Sequence, residues 1–397
     1  MRPVAVPDCP LFFCTAIWKR RPQTPAAGEL QTRAIVAGGQ GQTAVEAAVS
    51  CLGELAERLS LHAAPEGVEN RVFERLFDVE DLDADLFLGL SQRQKSSLFL
   101  PATGHASREA RAGLNLNSMS NRRVGLEDCR TGRQAQLSSF CALFDEAIRA
   151  GLYDTVSTSG AAVHATPELA FSNAILEAVE RDVFSRRWYN RLGITEINPA
   201  RVAYYLSSDT WKYLQCRKRQ VTVARVQNEF DIHVAVAVST AEDGYGGALG
   251  VSAGWSIHQS IEGAIMEMLQ SEFSQNLSVR SAAGSGQISK AVRFGRTVKL
   301  LEHLKIESAD ADAAKQSDVL YSPSQLLDSF HAAGIELWRF DATHPVLNIP
   351  CVRVLSPDLC TLEPRFGRQR LYPERVQHDP DHMLKHEELY RNWIFPY

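Results

Sequence analysis

Apolar positions along the chain follow two different periods. Residues 11–18, LFFCTAIW, form a compact apolar run of strand length. Residues 220–239, QVTVARVQNEFDIHVAVAVS, alternate and are rich in valine, which predicts two strands joined by a turn near Asn228 to Asp231. Residues 125–141 predict two more strands about a turn at Thr131-Gly132, and Phe144 to Gly151 a short helix with Gly151 as its stop. Residues 347–355, LNIPCVRVL, read as a buried strand that contains Arg353. A charge in such a strand is costly unless it is paired or placed at the functional end of the sheet.

Helical patterning is most distinctive in three stretches that share one layout. Thr43, Thr166 and Ser256 each stand eleven residues before a glutamate: Glu54, Glu177 and Glu267. Thr43 with Glu46, and Ser256 with Gln259, have capping-box spacing, and Thr166 precedes Pro167, a favoured first helical residue. Each start follows a small-residue loop: GGQGQ at 38–42, STSGAA at 157–162 and GVSAG at 250–254. Aliphatic positions recur in register, first Leu52, Ile175 and Ile265, then Ala56, Val179 and Leu269. The stretches then carry Glu54 and Glu57 with Arg58, Glu177 and Glu180 with Arg181, and Glu267 with Gln270.

Residues three and four apart share a helix face. One such set alone reads as a solvated face with an ion pair worth a few tenths of a kcal/mol. Three sets at one spacing read as convergence. Neighbouring carboxylates repel unless a cation compensates them. Five carboxylates from three helices suit a hard cation with oxygen ligands, and magnesium commonly joins protein carboxylates to nucleotide phosphates. Arg58 and Arg181 would then meet phosphate.

Composition narrows the remaining classes. A chain of 397 residues, 45% of them hydrophobic, suffices for one large domain or two fused lobes. Its net charge of −5 argues against a general nucleic-acid surface. The eight cysteines form no C-x-x-C, so neither a zinc site nor a redox pair is indicated, and free thiols in a reducing cytoplasm are expected. No apolar run is long enough to span a membrane. Residues 11–18 are too short for a signal peptide and have Lys19, Arg20 and Arg21 on the wrong side. The acidic run at 77–87 reads as solvated or capping, and residues 279–293 as a mobile loop. Trp188 and Trp393 read as core aromatics, and the apolar end WIFPY as a tail that docks. No Ser-His-Asp arrangement, H-E-x-x-H or G-x-x-x-x-G-K-[ST] loop is present.

Taken in order, GGQGQTAVEAAVSCLGELAER, TSGAAVHATPELAFSNAILEAVERDVFSRRW, GWSIHQSIEGAIMEMLQ and IPCVRVLSPDL, with GLEDCRTG between the first two, resemble the YcaO superfamily. The resemblance implies an α+β fold of β-sheets packed with helices, with an ATP site formed by three Glu-bearing helices. It implies one YcaO-type domain over residues 1–397, with a variable insertion at about 60–120. The implied enzyme is an ATP-dependent peptide cyclodehydratase. A Cys, Ser or Thr side chain attacks the preceding backbone carbonyl, ATP phosphorylates the resulting hemiorthoamide oxygen, and loss of phosphate leaves a thiazoline or oxazoline. Phosphorylation turns a poor leaving group into a good one, and cations stabilise the transferring phosphoryl group. By residue matching, Glu54, Glu57, Glu177, Glu180 and Glu267 would hold Mg2+, and Ser50, Arg58, Asn173, Arg181, Gln270 and Arg353 would contact ATP. The terminal carboxylate of Tyr397 would accept a proton.

The chain departs from the family pattern at three places. Gln40 stands where many members have Lys, Leu169-Ala170 replaces an acid-Ala pair, and the tail has one proline, Pro396, instead of an alternating run. The resemblance further implies a stand-alone subunit of a microcin-type synthetase. Its partners would be a precursor peptide, a peptide-clamp subunit and a flavin-dependent azoline dehydrogenase, with no nucleic acid and no membrane. Two other readings keep the fold: thioamide formation, and a non-catalytic scaffold.

Overall fold

The computed structural model describes residues 3–19, 34–65, 67–98, 115–152, 155–230, 232–285, 288–308 and 319–396. The chain opens with β1 (Val4–Ala5), β2 (Phe12–Trp18) and β3 (Ile35–Gly41), an antiparallel sheet in that order, and then forms α1 (Ala44–Ser60). Next come β4 (Val72–Glu74), α2 (Ala84–Leu88), α3 (Gln92–Lys95), β5 (Arg122–Asp128), β6 (Gln134–Ser138) and α4 (Phe144–Arg149). β7 (Ala161–Val163) leads into α5 (Pro167–Asn190). β8 (Ile194–Glu196), α6 (Pro199–Tyr205), α7 (Ser208–Cys216), β9 (Gln220–Val226), β10 (His233–Thr240) and β11 (Ala248–Gly254) lead into α8 (Ile257–Ser285). The chain continues with α9 (Lys290–Thr297), α10 (Leu300–Leu304), α11 (Pro323–Ala332), β12 (Trp338–Asp341), β13 (Cys351–Leu355) and α12 (Pro380–Tyr390).

One sheet runs β11-β10-β9-β8 and another β4-β5-β12-β13-β7, with β6 also on β5. Each long Glu-bearing helix follows an edge strand of a different sheet: β3 before α1, β7 before α5, β11 before α8. Edge strands offer unpaired backbone groups that must be covered. Here each edge lies under two of these helices. α1 packs on β3 and β7, α5 on β7 and β11, and α8 on β11 and β3. The result is a closed three-way arrangement in which every such helix touches its own strand and one of its neighbour's.

The helix starts follow the capping chemistry read from the sequence. Thr43 Oγ1 accepts from the Glu46 amide at 3.2 Å while Glu46 Oε2 accepts from the Thr43 amide at 3.2 Å. Ser256 and Gln259 make the same reciprocal pair, and Thr166 accepts from the Leu169 amide at 3.3 Å. These bonds satisfy amides that the first helical turn leaves without partners.

Several expectations change. The stretches 38–42 and 250–254 are not loops: they lie largely in β3 and β11. Their glycines serve close approach. A Cβ on Gly39 would meet the Cys51 amide nitrogen at 2.2 Å, and one on Gly250 the Ala264 carbonyl oxygen at 2.2 Å. Residues 279–293 are largely helical, because α8 runs on to Ser285 and α9 starts at Lys290. Ser289 caps α9 by accepting from the Val292 amide, so the small polar residues read as a loop include a helix start. Leu52 is 49% exposed, unlike its register mates Ile175 and Ile265. Beneath α1 lies only a small cluster of Cys14, Ala16, Ala37, Ala47 and Cys51, too small to cover that face.

Other expectations hold. All eight cysteines are free thiols. Asp83 caps α2, and Asp81 pairs with Arg75 and Arg123. No helix among the described residues is long and apolar enough to cross a membrane.

The C-terminal tail docks on α5. The Phe395 ring lies 5.0 Å from Trp188 and 5.8 Å from Phe184, both in near-perpendicular contact. Trp188 Nε1 donates to the Trp393 carbonyl at 2.7 Å. Ile394, expected to pack with its neighbours, is half exposed, since consecutive residues of an extended tail cannot all face the same surface. Tyr397 lies outside the described residues. Phe395→Ala should destabilise the chain by about 1–3 kcal/mol, up to the value for burying a Phe side chain. Urea unfolding would check this, and an unchanged midpoint would contradict the docked tail.

Candidate active site at three acidic helices

The carboxylates are anchored by the edge strands they cover. On α1, Glu54 Oε2 accepts from the Gly38 amide of β3 at 2.8 Å, and its Oε1 pairs with Arg58. Arg58 Nη1 also donates to the Val36 carbonyl at 2.7 Å, which ties it to the same strand. On α8, Glu267 Oε2 accepts from the Val251 amide of β11 at 3.2 Å. Glu180 on α5 reaches across to β11 and accepts from the Ala253 amide at 3.0 Å. Gln270 lies against Gly38, where an added Cβ would come within 2.4 Å of its Nε2. Amides left over at two sheet edges thus orient acids from all three helices.

Arg181 sits among these acids, 3.4 Å from Glu177 and 3.4 Å from Glu180. Even so, the acids are undercompensated. Burial, then the charges of Glu177 and Glu54, push Glu57 well above the usual carboxylate range. Burial raises Glu177 to about 7, with Arg181 opposing and Glu267 adding to the rise. Burial also raises Glu180 to about 7, against Arg181 and with Glu177. Glu267 rises to about 8 through burial and the charge of Glu180. Each acid therefore feels a carboxylate on its own helix or another. This is the electrostatic signature of convergence.

The donor set fits a hard divalent cation: every candidate ligand is a carboxylate oxygen, and Glu180 Oε1 is buried with no hydrogen bond. Among the described residues, no three acidic, His or Cys side chains group tightly enough to hold an ion by themselves. Magnesium usually takes one or two protein carboxylates and completes its shell with water and phosphate. The spread of these acids is compatible with that mode.

The remaining residues singled out from sequence are placed as follows. Ser50 and Asn173 are exposed, one turn before Glu54 and Glu177. Arg353 on β13 is 4% exposed and donates from Nη1 to the Ala142 carbonyl at 2.7 Å. The charge of Glu177 acts on it. Sequence reading missed Arg365 and Arg368, which line one cavity with Arg181 and Arg353, and Glu363, which lies 3.0 Å from Ser157 of the same cavity. The available signal was EPRFGR at 363–368, an unusually charged run just beyond an apolar strand.

The comparisons with known proteins agree with this architecture. The family model for the YcaO cyclodehydratases, described as ATP- and Mg2+-binding, matches residues 38–360. The chain therefore belongs to the YcaO family. No curated protein matches it. Among solved structures, it is similar to YcaO from Methanopyrus kandleri bound with AMPPCP and Mg2+, with a TM-score of 0.60 and 18% identity over 91% of this chain and 86% of that one. It is similar to a heterocyclase in complex with substrate and cofactor, with a TM-score of 0.69 and 18% identity over 95% of this chain but only 51% of that one. It is also similar to a chain of the E. coli microcin synthetase McbBCD complex, with a TM-score of 0.62 and 13% identity over 90% of this chain and 86% of that one. The chain thus spans about half the length of the heterocyclase it matches.

The raised acids set a pH dependence. Glu177, Glu180 and Glu267 titrate at about 7, 7 and 8 in the folded chain, against an ordinary value of 4.5. Between those limits the folded chain, free of metal and nucleotide, holds protons that the unfolded chain has released. Its stability therefore falls as pH rises through that window. Thermal unfolding should show a lower Tm at pH 8 than at pH 5.5, and Glu267→Gln should reduce the difference. A variant with the same difference as the parent would contradict this assignment.

Proposed function

We propose that the chain is an ATP- and Mg2+-dependent peptide cyclodehydratase. It converts Cys, Ser or Thr of a ribosomally made precursor to thiazoline or oxazoline, as one subunit of a multi-subunit azole synthetase in the cytoplasm. The observation that carries this reading is the set of mutually raised carboxylates from three capped helices, in a chain of the YcaO family. Glu54, Glu57, Glu177, Glu180 and Glu267 would hold the metal, which would supply positive charge to the transferring phosphoryl group. Ser50, Arg58, Asn173, Arg181, Gln270 and Arg353 bind and orient the nucleotide. The tail docks through Phe395 beside Phe184, and the terminal carboxylate of Tyr397, which lies outside the described residues, would accept a proton from the attacking side chain or the amide.

Peptide binding is shared with partners. The heterocyclase, about twice as long, and the multi-subunit microcin synthetase support this division of labour. A peptide-clamp subunit would present the precursor and a flavin-dependent dehydrogenase would oxidise the azoline. Holding the peptide in place makes the encounter local.

Glu177→Gln should abolish precursor-dependent ATP turnover in the reconstituted synthetase while leaving circular dichroism unchanged. Normal turnover would remove α5 from the nucleotide site. Deleting Pro396 and Tyr397 should slow cyclisation by about 100–10,000-fold, the scale of positioned acid–base catalysis, with AMPPCP binding retained. A truncated chain that binds AMPPCP but no longer co-purifies with its partners would make the tail an interface element instead.

A further inference from the structure

α12 carries a histidine pair that the proposed chemistry does not use. His378, His382 and His386, three of the eleven histidines, recur at every fourth residue. His378 precedes the helix cap, Asp379, so only His382 and His386 lie on the helix, about one turn apart. Residues four apart share a helix face. Two histidines at this spacing are the pair through which an H-E-x-x-H helix holds zinc. The stretch here, H-M-L-K-H at 382–386, keeps those two histidines and lacks the catalytic glutamate of that motif.

Both rings are already oriented. The Asp379 carboxylate accepts from His382 Nδ1, and the His382 carbonyl accepts from His386 Nδ1 at 2.9 Å. Neither a carboxylate nor a carbonyl can donate, so Nδ1 carries the hydrogen in both rings. The lone pair of each neutral imidazole is therefore on Nε2. Among the described residues neither Nε2 has a hydrogen-bond partner. Metal-binding histidines usually donate their other ring N–H to a carboxylate or a backbone carbonyl, which fixes the tautomer and raises the basicity of the ligating nitrogen. This pair has one partner of each kind.

The surroundings hold these orientations. Asp379 Oδ1 caps the helix by accepting from the Asp381 and His382 amides, both at 3.1 Å, so the carboxylate that faces His382 is itself fixed. The Tyr372 and Tyr390 rings meet the His386 ring edge-on at 6.3 and 5.7 Å. The His382 side chain is 57% exposed, which leaves the outer side of the pair open to water.

We propose that His382 and His386 bind one divalent zinc ion through their Nε2 atoms, with water in the remaining positions. Imidazole nitrogen suits zinc, whereas carboxylate oxygen suits magnesium, so this pair and the acidic helices select different ions. Two protein ligands are fewer than a closed structural zinc site has, so the ion exchanges with solution. Its effect falls on the C-terminal tail. The ion bridges successive turns of α12 and opposes unwinding there, because it binds the helical form and not the unwound one. Further along the same helix, Tyr390 Oη donates to Asn190 Oδ1 on α5 at 2.6 Å, and Glu387 accepts from Ser91 Oγ at 3.1 Å. Trp393 and Phe395 follow directly, so a firmer α12 holds the docked tail more firmly.

Isothermal titration of the untagged full chain with Zn2+, in excess Mg2+ to occupy the acidic helices, tests this. Saturable binding of one Zn2+ is expected, and it should be lost in His382→Ala and in His386→Ala. Asp379→Asn keeps a good capping residue and removes only the charge facing His382, so it should weaken binding by about tenfold or more. Hydrogen exchange should show Zn2+ slowing the α12 amides of the parent and not those of His382→Ala. If His386→Ala, which also loses its ring contacts, fails to fold by circular dichroism, the more exposed His382→Ala decides. No Zn2+ binding by the parent would overturn the proposal. So would Zn2+ binding that survives in the folded histidine variants, since it would place the ion elsewhere on the chain.

Discussion

The structure depends on the repulsion among acids carried by three helices that face one another. Glu57, Glu177, Glu180 and Glu267 are all held above the usual carboxylate range, mainly by burial and in each case with another glutamate adding to the rise. A fold that keeps such a cluster must anchor each acid firmly enough that it cannot swing out to solvent. The backbone amides of Val251 and Ala253 anchor Glu267 and Glu180, that of Gly38 anchors Glu54 beside them, and Arg181 holds Glu177, with Arg58 and Arg181 supplying partial charge balance. A hard cation placed there would be attracted by charges the protein has already been forced to gather.

The same amides explain why two of the three sheets end where they do. An exposed sheet edge invites pairing with another strand. Here β3, β7 and β11 are each covered by two long helices, and at β3 and β11 amides at the edge bond carboxylates. Close approach is needed for that bond to form, and Gly39 and Gly250 permit it. Covering the edges and building the acidic cluster are one act of packing.

α5 connects this cluster to the rest of the chain. Its stripe runs from Glu177 through Arg181 and Phe184 to Trp188, so the acids, the arginine-lined cavity and the docked tail lie along one helix. Beside the stripe, Asp182 is fully buried, pairs with Arg370 and accepts from the Cys360 amide, which fixes the segment after β13 against α5. That segment supplies Arg365 and Arg368. Movement of the C-terminal region would thus be felt at both the cavity and the acids through a single rigid element.

By itself the sequence determined the local chemistry of the site. Helix starts at Thr43, Thr166 and Ser256 follow from short-range capping, and the repeated acid spacing follows from helical period. Those interactions span a few residues, so they are legible in a string. The folded chain alone decided that the glycine-rich stretches at 38–42 and 250–254 are largely edge strands, because their glycines answer to a helix packed across them rather than to a turn. It alone decided that Leu52 faces solvent while Ile175 and Ile265 are buried, since the cluster beneath each helix differs in size. It also brought Arg365 and Arg368 beside Arg181, from which they are separated in the chain by 184 and 187 residues (365 − 181 and 368 − 181). Contacts over such separations are set by how three sheets and their covering helices close on one another, and no local pattern of residues carries that information.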